Sequence, residues 1–272
     1  MAQFPLVRHV IFSNMFNFFK QVVSKIPVSI THLTFDDQFN QRLDNLPASL
    51  THLRFGFQFN QPIDNLTSSI THIEFGASFN QPVDNLPNSI TRITFSSHFN
   101  QSVDKLPDSL THLHFCRFSR FNQSVDHLPA SLKHLEFGFD FNQPVDHLPS
   151  SITRLKFGSK FNHLVNKLPT SLTHLTFDLH SQFNQPIDDL PASLQHLDFE
   201  AHSRFDHPVE NWPASLQHLN FGVHSRFNQR IDKLPRSLKR LAFGIYSQVN
   251  RTDIELYRKT NREIDVSYFW SS

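Results

Sequence analysis

The sequence predicts a repeat solenoid, a right-handed coil in which each turn adds one short strand to a single parallel β-sheet on the concave side. The pair Phe-Asn recurs at near-constant spacing, 20 residues up to Phe99 and mostly 22 from Phe161 onward. Between these pairs runs the segment Leu-Pro-x-Ser-(Leu/Ile)-x-(His/Arg)-(Leu/Ile)-x-Phe. A fixed period of this length is typical of solenoids. Because one unit cannot bury its own apolar residues, consecutive units must stack.

The strand of each unit is predicted at a triplet in which two inward apolar residues flank one outward residue, as in Leu33-Thr34-Phe35. Alternation with a period of two is the pattern of a β-strand with one buried face. The same triplet begins at Leu53, Ile73, Ile93, Leu113, Leu135, Leu155, Leu175, Leu197, Leu219 and Leu241. With Val10 as the first, the pattern predicts twelve parallel strands in register.

The rest of each unit is predicted as an extended or irregular return limb. It lacks a 3.6-residue apolar pattern, and it often carries two prolines, such as Pro82 and Pro87, which disfavour helix. We therefore expect little helix. The inward set of one unit is predicted to comprise Leu132, Leu135, Phe137, Phe141, Val145 and Leu148.

The ends of the chain depart from the repeat, and three regions are predicted. Residues 1–29 form a degenerate first repeat that acts as the N-terminal cap, with Phe16-Asn17 as its Phe-Asn pair. Residues 30–250 hold the repeats, and residues 251–272 form a C-terminal cap. Within the cap we expect a short helix over 252–260 with Thr252 or Asp253 as its N-cap. The residues expected to cover the last unit are Ile264, Val266, Tyr268, Phe269 and Trp270.

The motif Phe-Asn-Gln-Pro-Ile at residues 59–63 and its copies resemble the FNIP repeat, a leucine-rich-repeat-like motif of amoebae and of giant viruses that infect them. The resemblance covers residues 27–250 clearly. It implies a leucine-rich-repeat-like fold and a role as a protein-interaction scaffold. Members of the family are often joined to an F-box, and none is visible in this sequence.

Composition excludes several classes of function. The formal net charge is +1, so bulk charge does not favour nucleic acid or acidic lipid. No apolar run is long enough for a transmembrane helix. Cys116 is the only cysteine, which fits a reducing compartment and predicts an intracellular, cytoplasmic protein. No phosphate loop, zinc motif or isolated carboxylate pair is present, so we expect no catalysis, cofactor or metal.

A column of imidazole and guanidinium groups is predicted on the outward face of the sheet, one residue before each inward Leu or Ile. We call it the histidine column: His9, His32, His52, His72, Arg92, His112, His134, Arg154, His174, His196, His218 and Arg240. A residue repeated in every unit favours a framework role. A ligand or partner surface, or less readily a metal site, remains the alternative.

Sites specific to one partner are expected where the units differ. The outward mid-strand column reads Thr34, Arg54, Glu74, Thr94, His114, Glu136, Lys156, Thr176, Asp198, Asn220 and Ala242. A two-residue insertion after the strand also recurs at 179–182, 201–204 and 223–226, and 245–248 extends this ridge. The alternative for the mid-strand column is a solvated face whose residues vary without a binding role. The alternative for the ridge is a wider loop that alters the curvature of the solenoid. The predicted partner-binding residues are Arg54, Glu74, His114, Glu136, Lys156, Asp198, His180, His202 and His224.

These observations predict a non-enzymatic scaffold that binds a partner protein, such as a host protein, across its concave sheet. The other function weighed is binding of an anionic ligand or nucleic acid through the histidine column. Salt dependence separates the two, because binding to phosphates weakens steeply with salt.

Overall fold

The computed structural model describes residues 8–11, 26–249, 251–261 and 264–268. Each repeat contributes one strand of three or four residues, and the chain then returns without regular structure. The strands are β1 His9–Ile11, β2 His32–Thr34, β3 His52–Arg54, β4 His72–Glu74, β5 Arg92–Phe95, β6 His112–Phe115, β7 His134–Glu136, β8 Arg154–Phe157, β9 His174–Phe177, β10 His196–Phe199, β11 His218–Asn220, β12 Arg240–Phe243 and β13 Asp265–Tyr268.

All thirteen strands form one parallel sheet in sequence order, from β1 to β13. The register is that of the repeat, so that each residue of a unit lies beside its equivalent in the next. His52, for example, lies between His32 and His72, and Leu53 lies between Leu33 and Ile73. The predicted solenoid is therefore confirmed, with about 11 turns.

Two columns of stacked phenylalanine rings form the core. One column comes from the strands and the other from the Phe-Asn pairs, and the two meet within each unit. In one unit the ring centroids of Phe137 and Phe141 lie 3.6 Å apart, and both rings are at most 2% exposed. The predicted inward set of this unit is buried throughout. From Phe35 to Phe243 the units thus pack their aromatic rings on those of their neighbours.

The distances between stacked rings show which face of the sheet is concave. Successive imidazoles of the histidine column lie 4.0 to 4.3 Å apart between centroids. Successive strand phenylalanines, on the other side of the sheet, lie 5.0 to 6.1 Å apart. Those of the Phe-Asn column lie 5.8 to 6.2 Å apart. Because units converge toward the histidine column, that face is the concave one.

Polar ladders hold the return limbs in register. The Oδ1 of Asn60 accepts the backbone N–H of Asn80 at 2.9 Å and a side-chain N–H of Gln81 at 3.1 Å. On the other bend, Ser89 donates its hydroxyl to the carbonyl oxygen of Ile70 at 2.6 Å. The repeated Asn and Ser therefore satisfy backbone groups that the turns leave unpaired.

The C-terminal segment continues the sheet beyond the predicted twelve strands. A helix, α1, spans Arg251–Thr260, and the chain then forms β13, which pairs in parallel with β12. The prediction of twelve strands was thus one short. The helix begins before the predicted N-cap, so Thr252 and Asp253 lie in its first turn. An acidic side chain at this end stabilises the helix by interacting with its dipole.

Contacts to the last repeat hold this segment in place. Ile254 is buried, and the Tyr257 hydroxyl donates to the carbonyl oxygen of Pro235 at 2.6 Å. Val266 is also buried. At the other end, β1 lies at the predicted triplet. The predicted pair Phe16-Asn17, like Phe269 and Trp270, lies outside the described residues.

Candidate functional site

The concave face carries the histidine column as a file of stacked imidazoles. The rings of His174 and His196 lie 4.2 Å apart with an interplanar angle of 6°. Arg92, Arg154 and Arg240 interrupt the file and are exposed. The parallel register makes this arrangement, because equivalent residues at the start of neighbouring strands have side chains on the same face.

Threonines that precede the strands orient most of these imidazoles. The Thr51 hydroxyl lies 2.9 Å from Nδ1 of His52 and 3.0 Å from the carbonyl oxygen of Thr31 in the preceding unit. The same hydroxyl–imidazole contact, at 2.8 to 2.9 Å, recurs at His32, His72, His112 and His174. Each of these rings is therefore fixed by a neighbour in the sequence as well as by the stack.

Burial and repulsion between positive charges favour the neutral form of most imidazoles in the column. Burial, followed by the charge of His134, lowers the pKa of His112 to about 4. The pKa of His196 is likewise lowered to about 4 by burial and then by His174 and His218. Burial, followed by the charge of an imidazole or arginine in a nearby unit, lowers the pKa of His32, His52, His72, His134, His174 and His218.

A column whose imidazoles are mostly neutral does not favour the anionic-ligand alternative. Polyanions are held by cations that release counterions, and at pH 7 the fixed positive charges of this file are its arginines. Neither does the column favour a metal. Stacked rings direct their nitrogens in parallel rather than toward one point, and among the described residues no group of three or more His, Cys, Asp or Glu can hold a metal ion.

The mid-strand column presents its charges in pairs. Arg54 and Glu74 lie 3.4 Å apart in neighbouring strands, and His114 lies 3.6 Å from Glu136. All four side chains are between 45% and 62% exposed. The opposite charges of Arg54 and Glu74 are therefore matched across adjacent units, and the two contacts together form an exposed polar surface.

Lys156 lies at the centre of a more buried ion-pair network. Its Nζ lies 2.7 Å from Oε1 of Glu200 and 3.1 Å from Oδ1 of Asp178, whose side chain is only 4% exposed. Arg117 approaches the same aspartate at 3.6 Å. Burial alone would lower the pKa of Lys156, but the hydrogen bond and charge of Glu200 and the charge of Asp178 raise it.

Asp198 extends this network toward the C-terminal units. Its Oδ1 accepts a hydrogen bond from Asn220 at 2.8 Å. Burial, followed by the charge of Glu200, raises the pKa of Asp198. The predicted partner-binding residues Lys156 and Asp198 are therefore part of a structural network as well as members of the concave surface.

A hollow of about 300 Å³ lies on the concave face over β2 to β5. It is bounded by the histidine column on one side and by the mid-strand column on the other. The polar residues that line it are His32, Thr34, His52, Arg54, His72, Glu74, Arg92 and Thr94. Of the predicted site residues, this hollow brings Arg54 and Glu74 together with the imidazoles.

The insertions after the later strands build the predicted ridge. His180, His202 and His224 have φ values of 57°, 62° and 66°, a left-handed conformation in which His is among the enriched residues. Their rings stack, with centroids 4.5 and 4.4 Å apart, and Tyr246 continues the file at 5.7 Å. The ridge residues His202 and His224 line a different hollow from Arg54 and Glu74, so no one hollow joins all the predicted residues.

The repeat itself identifies the family. The family model described as FNIP Repeat matches the chain at 22–58, 59–98, 82–118, 99–140, 121–160, 141–180 and 183–224. The chain belongs to the FNIP repeat family. The search of curated proteins found no match.

Solved structures share the fold. CroV588 of a giant virus, described as a novel circular leucine-rich-repeat protein, is 43% identical with a TM-score of 0.66, over 80% of this chain and 37% of that one. YopM from Yersinia enterocolitica is 20% identical with a TM-score of 0.61, over 89% of this chain and 51% of its own. InlJ from Listeria monocytogenes is 14% identical with a TM-score of 0.60, over 88% and 59%.

These comparisons establish a leucine-rich-repeat-like FNIP solenoid. The chain spans less than two thirds of each of these three structures. The part of the chain that the structure describes contains no helix with the length and apolar character needed to cross a membrane.

The sequence reasoning missed one aromatic residue at the ridge position of an earlier FNIP unit. Phe118 follows its strand as His180 does, and it is 71% exposed. Phe139, in the next unit, is also exposed, and the cations of Arg117 and Lys160 lie over these two rings at 5.7 and 5.3 Å. The 22-residue spacing from Phe99 to Phe121 was the available signal, because it marks the same insertion.

Proposed function

We propose that this FNIP solenoid is a non-enzymatic scaffold that binds a partner protein across its concave sheet. The observation that carries the proposal is the continuous concave face of thirteen strands, on which a repeated histidine column lies beside a mid-strand column that differs from unit to unit. The repeated column gives a common polar framework. The varied column supplies the chemistry by which one partner is distinguished from another.

The contact is proposed to centre on the hollow over β2 to β5 and on the exposed charge pairs beside it. Arg54, Glu74, His114 and Glu136 offer both donors and acceptors, and neutral imidazoles alongside add further acceptors. Lys156 and Asp198 are proposed to shape the surface through their network. Leucine-rich-repeat-like folds are typically protein-interaction scaffolds and are generally non-enzymatic. This supports a binding role without catalysis for the present chain.

A charge-swap variant tests this surface without removing an ion pair. In R54E/E74R the pair is retained and the net charge is unchanged, but the signs that a partner meets are inverted. The matched control is D84K/K105D, which inverts the exposed Asp84–Lys105 pair on the return limb. Immobilised wild-type protein and both variants are exposed to amoebal lysate, and the proteins retained by each are identified by mass spectrometry.

The expected result is a protein that binds the wild type and D84K/K105D but is lost from R54E/E74R. Its binding is then measured with purified components. Equal retention by all three proteins would place the contact off the concave face, and the absence of any specifically retained protein would contradict the scaffold function.

A further inference from the structure

Two contiguous hollows lie beside the C-terminal part of the ridge. The first, of about 430 Å³, is lined by His202, Arg204, Asp206, His224, Arg226 and Tyr246. The second, of about 560 Å³, shares Asp206, Arg226 and Tyr246 with it. Together they extend along three successive units, so their shape suits an extended chain better than a single small ion.

Two guanidinium groups face this elongated hollow without an internal acidic partner. Arg204 and Arg226 occupy equivalent positions in consecutive units and are both exposed. Within the described part of the chain, neither side chain has a carboxylate within 4.0 Å or a hydrogen-bond acceptor. Both lie in the segments that follow β10 and β11, where two like charges in adjacent units repel each other, and an external anion would relieve this repulsion.

The other residues that line the hollow indicate which class of anion it would bind. Asp206 borders both hollows, and its Oδ1 already accepts the backbone N–H of Asn228 at 2.8 Å and a side-chain N–H of Gln229 at 3.1 Å. The negative charge of Asp206 in the lining repels a bound dianionic phosphate more strongly than it repels a ligand carboxylate, which carries a single charge. Tyr246, which is 55% exposed at the end of the imidazole stack, offers a flat apolar surface for a hydrophobic side chain.

We propose that this hollow, the ridge pocket, binds an acidic peptide segment of the partner protein. Carboxylate side chains of the segment pair with Arg204 and Arg226, and an aromatic or aliphatic side chain packs on Tyr246. Arginine is suited to this role because its planar donors match a carboxylate. The inference rests on the proposed scaffold function and adds to it a second contact surface with a defined chemistry.

The chain itself supplies a variant that removes the charges with little risk to the fold. Gln182 and Gln248 occupy the position of Arg204 and Arg226 in the flanking units. The double variant R204Q/R226Q therefore places a side chain that neighbouring units already accept. The matched control is R230Q/R236Q, which removes two positive charges from the return limb.

The probe is a fluorescein-labelled acidic peptide, EAEFEAE, measured by fluorescence anisotropy, with KAKFKAK as its basic counterpart. The acidic peptide is expected to bind the wild type and R230Q/R236Q alike. In R204Q/R226Q its Kd is expected to rise at least about tenfold, because two charge-assisted hydrogen-bonding sites are lost. Replacing Tyr246 by Ala is expected to weaken binding less, and added salt is expected to weaken it in the wild type.

Several results would overturn the ridge pocket. One is equal binding of EAEFEAE to the wild type and to R204Q/R226Q. Another is binding of KAKFKAK to the wild type as tightly as EAEFEAE. The others are tighter binding of a ten-nucleotide oligothymidylate than of EAEFEAE, and displacement of EAEFEAE by submillimolar inorganic phosphate. The concave variant R54E/E74R separates the two proposals. If it loses the lysate partner while R204Q/R226Q does not bind differently from wild type, the scaffold function stands and the ridge pocket falls.

Discussion

The Thr111 hydroxyl lies 2.8 Å from Nδ1 of His112 and 3.0 Å from the carbonyl oxygen of Thr91. A hydroxyl has one proton, and the carbonyl can only accept, so the Thr111 proton goes to Thr91. Nδ1 of His112 must therefore carry a proton and donate it to Thr111. In the neutral ring this leaves Nε2 as an acceptor, and the threonine-supported imidazoles thus present acceptors rather than charges.

The histidine column makes the free energy of unfolding depend on pH. In the folded state the pKa values of eight imidazoles, those of His32, His52, His72, His112, His134, His174, His196 and His218, lie below the unfolded value of about 6.5 and reach about 4 at His112 and His196. Between these limits the unfolded chain binds more protons, so stability falls as pH decreases from about 6.5 toward 4. We expect the melting temperature to fall by several degrees over this window, and added salt to restore part of the loss.

A variant without part of the column isolates this effect. Replacing His52, His72, His112 and His134 by Gln is expected to flatten the dependence, because glutamine does not titrate in this window. Two acids face this part of the column. Glu74 lies in the hollow with His52 and His72, and Glu136 offsets only in part the lowering of the His134 pKa by burial, Arg154, Arg92 and Lys133. A melting temperature that holds or rises from pH 6.5 to 4 in the wild type would contradict the linkage.

The phenylalanine stack is expected to dominate local stability. Phe137 is 2% exposed and contacts Phe141, Phe115 and Phe157 through stacked rings. Phe137→Ala should cost about 3 to 5 kcal/mol. Phe139→Ala, in the same unit but exposed, serves as the control and should cost less than about 1 kcal/mol.

Hydrogen exchange distinguishes local from global loss in the Phe137 variant. In a solenoid most contacts join neighbouring units, so protection should disappear first near residues 115–160. Uniform loss along the chain would mean that the units unfold as one cooperative body.

The repeat explains why most of the fold could be predicted. A period fixes the register, and register places each Leu, Phe, Asn and His beside its equivalent, so the core and the columns follow from one unit. β13 could not be predicted this way, because Asp265, which pairs with Arg240, lies outside the repeat. Among the described residues of β13, Val266 is the buried apolar side chain.

The candidate site was less predictable, because it depends on contacts between positions that do not repeat. The sequence shows the alternating charges of the mid-strand column, but it does not show that Asp178 and Glu200, one unit apart, converge on Lys156. That Arg204 has no carboxylate within ion-pairing distance in the described part of the chain, although Asp206 lines the same hollow, likewise depends on the fold. Such features arise from the differences between units, which a periodic pattern does not encode.

Two cations of the mid-strand column should differ sharply in their contribution to stability. Lys156→Met leaves Asp178, 4% exposed, with Arg117 at 3.6 Å as its remaining cation, so we expect a cost of about 2 to 4 kcal/mol. Arg54→Met removes a pair whose side chains are 62% and 46% exposed, and should cost less than about 1 kcal/mol. Thermal melts compare the two variants, and equal costs would mean that the Lys156 network is screened by solvent.

The asparagine ladder offers a last test, in which the chain again provides its own control. Oδ1 of Asn80 accepts the backbone N–H of Asn100 at 2.9 Å and a side-chain N–H of Gln101 at 3.2 Å. Asn80→Ala removes the acceptor of that exposed backbone donor, which water can reach, and should lower the free energy of unfolding by about 0.5 to 1.5 kcal/mol. At the equivalent position Asp206 accepts the N–H of Asn228 at 2.8 Å, so Asn80→Asp should retain most of the stability.

Because Asp supplies the acceptor oxygen but lacks the amide donor, the pair of variants tests which half of the asparagine matters. If acceptance is the important function, Asn80→Asp melts near the wild type at pH 7 and Asn80→Ala melts well below it. A loss in Asn80→Asp as large as that in Asn80→Ala would show instead that the added charge, or the missing amide donor, governs the ladder. Melting curves at pH 7 in low and high salt separate these two causes, because salt screens only the charge.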